Sequence, residues 1–281
     1  MTGRVDAHQH FWTLSRGDYG WLTPDLKPLY RDFGPRDLAP LIAAAGVSRT
    51  VAVQAAPTAA ETRFLLEVAQ DNAFVAGVVG WVDFEAADAA ASIARLAKSP
   101  ALLGLRPMIQ DIPDPGWMLD ARLSPAFEQM ARSGLVFDAL VRPVHLPNLR
   151  RLLDRHPDLR TVIDHGAKPD IAGGALEPWS RELAGLARDS AVFCKLSGLV
   201  TEAGDDVSLA RIAPYAERLL AAFGPERVLW GSDWPVLNLA CSYGDWCDMT
   251  ASLVEPLEPA DRAAVLGGNA ERCYGLEGRR G

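Results

Sequence analysis

The sequence predicts an α/β chain folded as a single (β/α)8 TIM-like barrel, and three observations carry that reading. Eight short runs rich in Val, Leu, Ile and Phe alternate with helical patterns along the chain. Most of these runs are apolar throughout rather than alternating, as strands of a parallel sheet buried on both faces are. The 281 residues suit one barrel, which needs ~250. An open doubly wound sheet is the alternative. Its mark is a Gly-rich first turn, whereas the first turn here reads His8-Gln9-His10-Phe11-Trp12.

The predicted strands are Arg4–His10, Thr50–Ala55, Phe74–Trp81, Leu102–Arg106, Leu135–Val141, Arg160–His165, Val192–Ser197 and Arg227–Asp233. Helix signals fill the gaps. A helix starts at Asp37 and ends near Gly46, and Thr58-Ala-Ala-Glu61 reads as a capping box. Ser124-Pro125 is an N-cap followed by proline at the first helical position, with Gly134 after the helix. Ser208 opens a further helix that ends near Gly224. The segments 12–34 and 111–120 are turn-rich and read as loops over one barrel mouth. No repeat, low-complexity tract or linker interrupts the chain, so residues 1–281 are expected to form one domain.

Twenty-eight basic against thirty-six acidic residues give a net charge of −8, which excludes nucleic acid and an anionic membrane surface as main partners. No run approaches the ~18 apolar residues of a membrane span. The start, Met1-Thr-Gly-Arg-Val-Asp, shows no apolar signal region. The four cysteines, Cys194, Cys241, Cys247 and Cys273, form no CxxC pair and no zinc-finger spacing. They read as reduced thiols of a cytoplasmic protein, with Cys194 in the core.

In a barrel of this kind the chemistry gathers at the C-terminal ends of the strands. His8 and His10 lie there, two apart, so both point to one side, and the interior is the better side for two imidazoles. Convergent histidines suit a divalent metal or the polarisation of a carbonyl; the plainer reading is a structural hydrogen-bonded pair. His165 ends the sixth strand, where the plainer reading is a buried ring on a loop carbonyl. Asp233 ends the eighth, where an unpartnered acid is expensive to bury, and Trp234-Pro235 makes the N-cap alternative awkward. The four together are a stronger signal than any one.

Further candidates sit at or just beyond strand ends. Arg106 and Lys195 are cations that either hold a substrate oxygen or pair structurally. Gln110 and Lys168 lie on loops, and His145 follows strand five. His156 ends a helix and reads as structural. Ser197 lacks a nucleophile elbow. Asp6 shares the His8 face and is expected to orient a histidine.

Several stretches carry a resemblance: Val5-Asp-Ala-His-Gln-His-Phe-Trp12, Gly104-Leu-Arg-Pro107, Val162-Ile-Asp-His-Gly-Ala-Lys-Pro169, Lys195-Leu-Ser-Gly198 and Leu229-Trp-Gly-Ser-Asp-Trp-Pro235. Together they resemble the sugar-lactonase-like branch of the amidohydrolase superfamily, which includes L-fuconolactonases and L-rhamnonolactonases, with pyrone-dicarboxylate lactonase among its relatives. The resemblance implies a hydrolase that opens a small sugar lactone of the L-fuconolactone kind to its aldonic acid. Asp233 would act as general base for water, and His165, His10 and His8 would stabilise the oxyanion. Arg106, Lys195, His145, Gln110, Trp81 and Trp234 are the expected substrate contacts.

The superfamily's binuclear pattern has a carboxylated Lys or a Glu at strand four, where this chain has Arg106, which cannot become a ligand. One divalent metal, Zn2+ first, held by His8, His10, His165 and Asp233, therefore stands beside a metal-independent site. A homo-oligomer is compatible with the sequence. Two rival functions remain: a metal-dependent decarboxylase of an aromatic or muconate-type acid on the same scaffold, and a non-catalytic sugar-acid binding protein.

Overall fold

The computed structural model describes residues 3–277; Met1 and Thr2 of the start read above lie outside the described residues. Eight strands, β1 Arg4–Gln9, β2 Val47–Val53, β3 Val75–Gly80, β4 Leu102–Leu105, β5 Val136–Ala139, β6 Thr161–Ile163, β7 Phe193–Leu196 and β8 Val228–Trp230, pair in chain order. Every pair is parallel. The ring closes where the segment after β8 returns to β1. His10 N donates to Trp234 O at 2.7 Å and Asp233 N to His8 O at 2.8 Å, making a parallel bridge between Gln9 and Trp234. The architecture is a (β/α)8 barrel.

The outer layer comprises α1 Pro35–Ala44, α2 Ala59–Asp71, α3 Ala89–Leu96, α4 Ser124–Arg132, α5 Leu146–Arg155, α6 Trp179–Asp189, α7 Leu209–Phe223 and α8 Tyr243–Val254. The C-terminal pieces α9 Pro259–Ala263 and α10 Asn269–Tyr274 follow. Each of the eight outer helices α1–α8 buries apolar residues inward. On α5 the stripe is Leu146, Leu149, Leu152 and Leu153, whose burial contributes about 1.5–3 kcal/mol apiece. A second core fills the barrel's closed end, where Val5, Val51, Val79, Leu103, Val136, Val162 and Leu229 meet Ala270, Cys273 and Tyr274 of α10. The C-terminal helix is thus a plug under the charged layers above it.

The strands fall where the sequence places them, shorter at their C-terminal ends. Trp81, Arg106, His165, Ser197 and Asp233 stand one to three residues past their strands. Helix starts need three corrections. α1 begins at Pro35, and Asp37 is not its first residue; its carboxylate accepts from the Gly34 N–H that precedes the helix. The Thr58 box is half made: Thr58 Oγ1 accepts from Glu61 N, but the Glu61 carboxylate accepts from Ala55 N instead. Ser124 is the first residue of α4, preceded by Leu123, and makes no cap bond. Ser208 does precede α7, and Gly224 follows it.

The mouth segments carry single 3-10 turns at Leu14–Arg16, Ile109–Asp111 and Trp117–Leu119. His156 caps α5, its ring 5.7 Å from that of Phe127. All four cysteines are free. Among the described residues, no helix is long and apolar enough to cross a membrane.

Candidate active site

Backbone irregularities at the strand ends aim the side chains of the site. After β6, His165, Gly166, Ala167 and Lys168 all have φ between 51° and 62°, a left-handed turn that L-residues enter only at a cost of about 1–2 kcal/mol each. The turn swings His165 over the barrel, where its Nδ1 lies 2.9 Å from Ser197 Oγ. Gly198 makes room for it: at φ +62°, a Cβ would fall 2.5 Å from His165 Nδ1. Gly231 does the same for His8, whose Cβ would be 2.8 Å from one added there. Asp233 also sits at positive φ, 59°.

These devices bring four side chains to one point. Asp233 Oδ1 lies 3.1 Å from His10 Nε2, 3.7 Å from His8 Nε2 and 3.8 Å from His165 Nε2. His8 and His10 approach at 3.2 Å through their Nε2 atoms. His10 Nδ1 is 2.7 Å from the Val53 carbonyl. A carbonyl only accepts, so Nδ1 carries the proton and Nε2 of the neutral ring offers a lone pair. That lone pair faces a carboxylate oxygen at 3.1 Å, an arrangement that requires a shared proton or a cation.

The donor set fits a divalent cation. Ligand atoms of His8, His165 and Asp233 lie within 4.8 Å of one another, and the 3.1–3.8 Å spacings to Asp233 bracket the edges of about 3.3 Å that bonds of ~2.0–2.1 Å give in a tetrahedral zinc site.

Beneath this layer runs a second, fully buried one. Lys195 Nζ of β7 donates to Asp138 Oδ2 of β5 at 2.6 Å and forms an ion pair with Asp164 Oδ1 at 2.9 Å. It also lies 3.1 Å from His8 Nδ1. The Tyr274 hydroxyl of the α10 plug donates to Asp138 Oδ2 at 2.7 Å. Arg106 reaches the Gln54 carbonyl with Nη2, and its Nη1 lies 3.3 Å from both Asp164 Oδ2 and His8 Nε2.

The electrostatics follow from this layering. Burial, then the Lys195 charge, holds the His8 imidazole well below its ordinary value. Burial also takes His165 down to about 4, against the pull of Asp233 and Asp164. Both rings are neutral at pH 7. Burial alone would raise Asp233, but the imidazoles of His165, His10 and His8 outweigh it and hold the carboxyl well below its ordinary value. The site therefore presents one carboxylate beside the neutral rings of His8 and His165.

A cavity of about 320 Å3 opens above, within the range of small-molecule sites. His10, His165, Asp233, Arg106 and Gln110 line it, with Lys168. His8 forms the floor below them at zero exposure.

The other expected contacts stand elsewhere. Lys195 is fully buried on its two carboxylates, a layer too deep to touch a substrate. His145 turns back to accept from Arg142 N at 3.0 Å. Trp81 lines a separate surface depression with Arg63 and Asp88. Trp234 is buried, edge-on to Phe11 and Phe33. Asp6 does not meet an imidazole: it accepts from the backbone N–H groups of His8 and Ser232 and from the Tyr243 hydroxyl of α8. The β1 register is irregular between Asp6 and Gln9, so alternation does not carry across it.

Sequence reasoning misses Asp138 and Asp164. An acid inside the Val136–Ala139 strand was the available signal, because it demands a buried partner.

Comparison with known proteins agrees with this construction. The profile of the amidohydrolase family matches residues 5–276. An L-fucono-1,5-lactonase from Burkholderia ambifaria is 49% identical, covering 99% of this chain and 97% of that one. A second protein of that name, from Burkholderia multivorans, is 40% identical over 97% and 96%. A crystal structure of an amidohydrolase from Burkholderia multivorans with bound zinc superposes with a TM-score of 0.92 at 39% identity, covering 97% of this chain and 99% of that one. A histidine pair at the end of the first strand, a histidine after the sixth and an aspartate after the eighth thus sit on a barrel that matches the family over residues 5–276, and the chain belongs to the amidohydrolase family.

Proposed function

We propose that the chain is a lactonase that opens a sugar lactone of the L-fucono-1,5-lactone type to its aldonic acid, with Asp233 as general base. The observation that carries this reading is the meeting of Asp233 Oδ1 with three imidazole nitrogens, 3.1–3.8 Å away, at the floor of a cavity sized for a small molecule. The names of the two Burkholderia relatives supply the substrate class.

Asp233 is ionised at working pH and takes a proton from water as the water oxygen bonds to the lactone carbonyl carbon. Negative charge then builds on the carbonyl oxygen, where His165 and Arg106, both in the cavity wall, stabilise it. The ring C–O bond breaks, and the proton held by Asp233 passes to the departing alkoxide. One hydroxy acid results, with every atom of water accounted for. Lys195, fixed between two carboxylates, positions His8 from below.

A divalent cation held by His8, His10, His165 and Asp233, with zinc the first candidate, would add Lewis-acid polarisation of the lactone carbonyl. The zinc in the Burkholderia multivorans structure supports that choice.

The test is a pH-indicator assay of acid release from L-fucono-1,5-lactone, beside Asp233→Asn. Turnover lost by about 10²–10⁴-fold in the variant is the expected outcome. No acid release by the wild type on any aldonolactone overturns the reading.

A further inference from the structure

Among the described residues, one tryptophan lines the cavity: Trp21, in the segment between β1 and α1. No Phe, Tyr or second Trp among the described residues joins it there. It is 37% exposed, so part of the indole is open at the rim of the cavity it lines. A pyranose lactone presents C–H groups on its ring faces, and an indole plane is the surface they pack against, while its hydroxyls meet polar groups.

The segment 12–34 has little regular structure to hold this ring still. What holds it is Glu61 of α2, an acid at zero exposure that takes no part in the chemistry above. Its Oε1 accepts from Ala55 N at 3.1 Å and its Oε2 from the Tyr19 hydroxyl at 2.8 Å. The Ala55 carbonyl in turn accepts from Trp21 Nε1 at 2.8 Å. One carboxylate thus fixes both the residue that anchors the indole and a residue two positions before it. Trp12 packs edge-on behind the indole at 5.5 Å.

We propose that Trp21 is the stacking platform for the sugar ring, and that Glu61 is a positioning residue that holds it over the cavity. The proposal rests on the lactonase reading for its substrate. Trp21→Ala should raise KM for L-fucono-1,5-lactone at least tenfold with kcat within threefold of wild type, and Trp21→Phe should recover most of the loss. Glu61→Ala should shift KM the same way, with Tyr19→Phe as a milder variant should Glu61→Ala fail to fold. Glu61→Gln still accepts from Ala55 N and should restore binding.

The indole N–H resonance of Trp21, identified by its loss in Trp21→Phe, should move on adding L-fuconate and should move in Glu61→Ala without ligand. An unchanged KM in Trp21→Ala, or a Trp21 resonance indifferent to L-fuconate, overturns the inference. A wild type without turnover overturns the lactonase reading itself, and the L-fuconate titration still decides the role of Trp21.

Discussion

Lys195→Met isolates the charge of the buried lysine. Methionine keeps most of the length and apolar volume of the side chain, so no large cavity opens. What disappears is the ammonium 2.6 Å from Asp138 and 2.9 Å from Asp164. Removing one partner of a buried ion pair costs about 3–5 kcal/mol. At about 2.1 cal/mol/K per residue, the 281 residues unfold with an entropy of about 0.6 kcal/mol/K. The melting temperature should therefore fall by about 5–8 °C at pH 7.

The pH dependence has a definite sign. Burial pushes Asp138 up to about 6 even beside Lys195, and without the ammonium it moves higher. The folded variant then binds a proton that the unfolded chain releases near 4. Such a group destabilises at high pH, and the penalty lifts as pH falls through the folded value. Calorimetric melts at pH 5, 7 and 8 should show a deficit that grows with pH. A deficit under about 2 °C at pH 7, or one that does not change from pH 5 to pH 8, would refute the claim that the ammonium compensates these carboxylates.

Two other perturbations follow from the same geometry. Gly198→Ala places a methyl 2.5 Å from His165 Nδ1, and the displaced ring should lower kcat more than about tenfold, read by steady-state kinetics on a protein that still folds. Dialysis against a chelator should release one equivalent of divalent metal by elemental analysis and lower the melting temperature; a cation at a hundred times its Kd stabilises by about 2.7 kcal/mol. His165→Asn should bind under a tenth of an equivalent, and full retention there would remove His165 from the ligand set.

The parts of the fold legible in the sequence are those where burial is symmetrical. Strands covered on both faces read as unbroken apolar runs, so all eight were visible. His8, His10, His165 and Asp233 stood out because polar groups at the ends of such runs need a reason to be there. Depth was not legible. Lys195 and Arg106 both belong to strand ends, yet Arg106 lines the cavity while Lys195 lies a layer lower, fixed by carboxylates from β5 and the β6 end that only the folded ring brings near. Facing was not legible past irregular backbone either. Trp234 follows a residue at positive φ, which turns its ring away from the mouth, and the uneven register of β1 sends Asp6 toward α8. The role of Trp21 was not legible, because the acid that holds it comes from a helix forty positions on.

The seam between β8 and β1 has a consequence for the order of events in folding. His10 and Asp233 meet across 223 positions of sequence, and Ser232 reaches Asp6 across 226. Contacts so distant along the chain carry the largest loop-closure cost and form late. Asp233 and two of its imidazole neighbours therefore come together only when the first and last strands zip the ring shut. A partly assembled barrel, however well its helices are packed, has no site. Recovery of activity during refolding should accordingly trail the recovery of helical signal, and a chain released before its eighth strand emerges is inert as a catalyst.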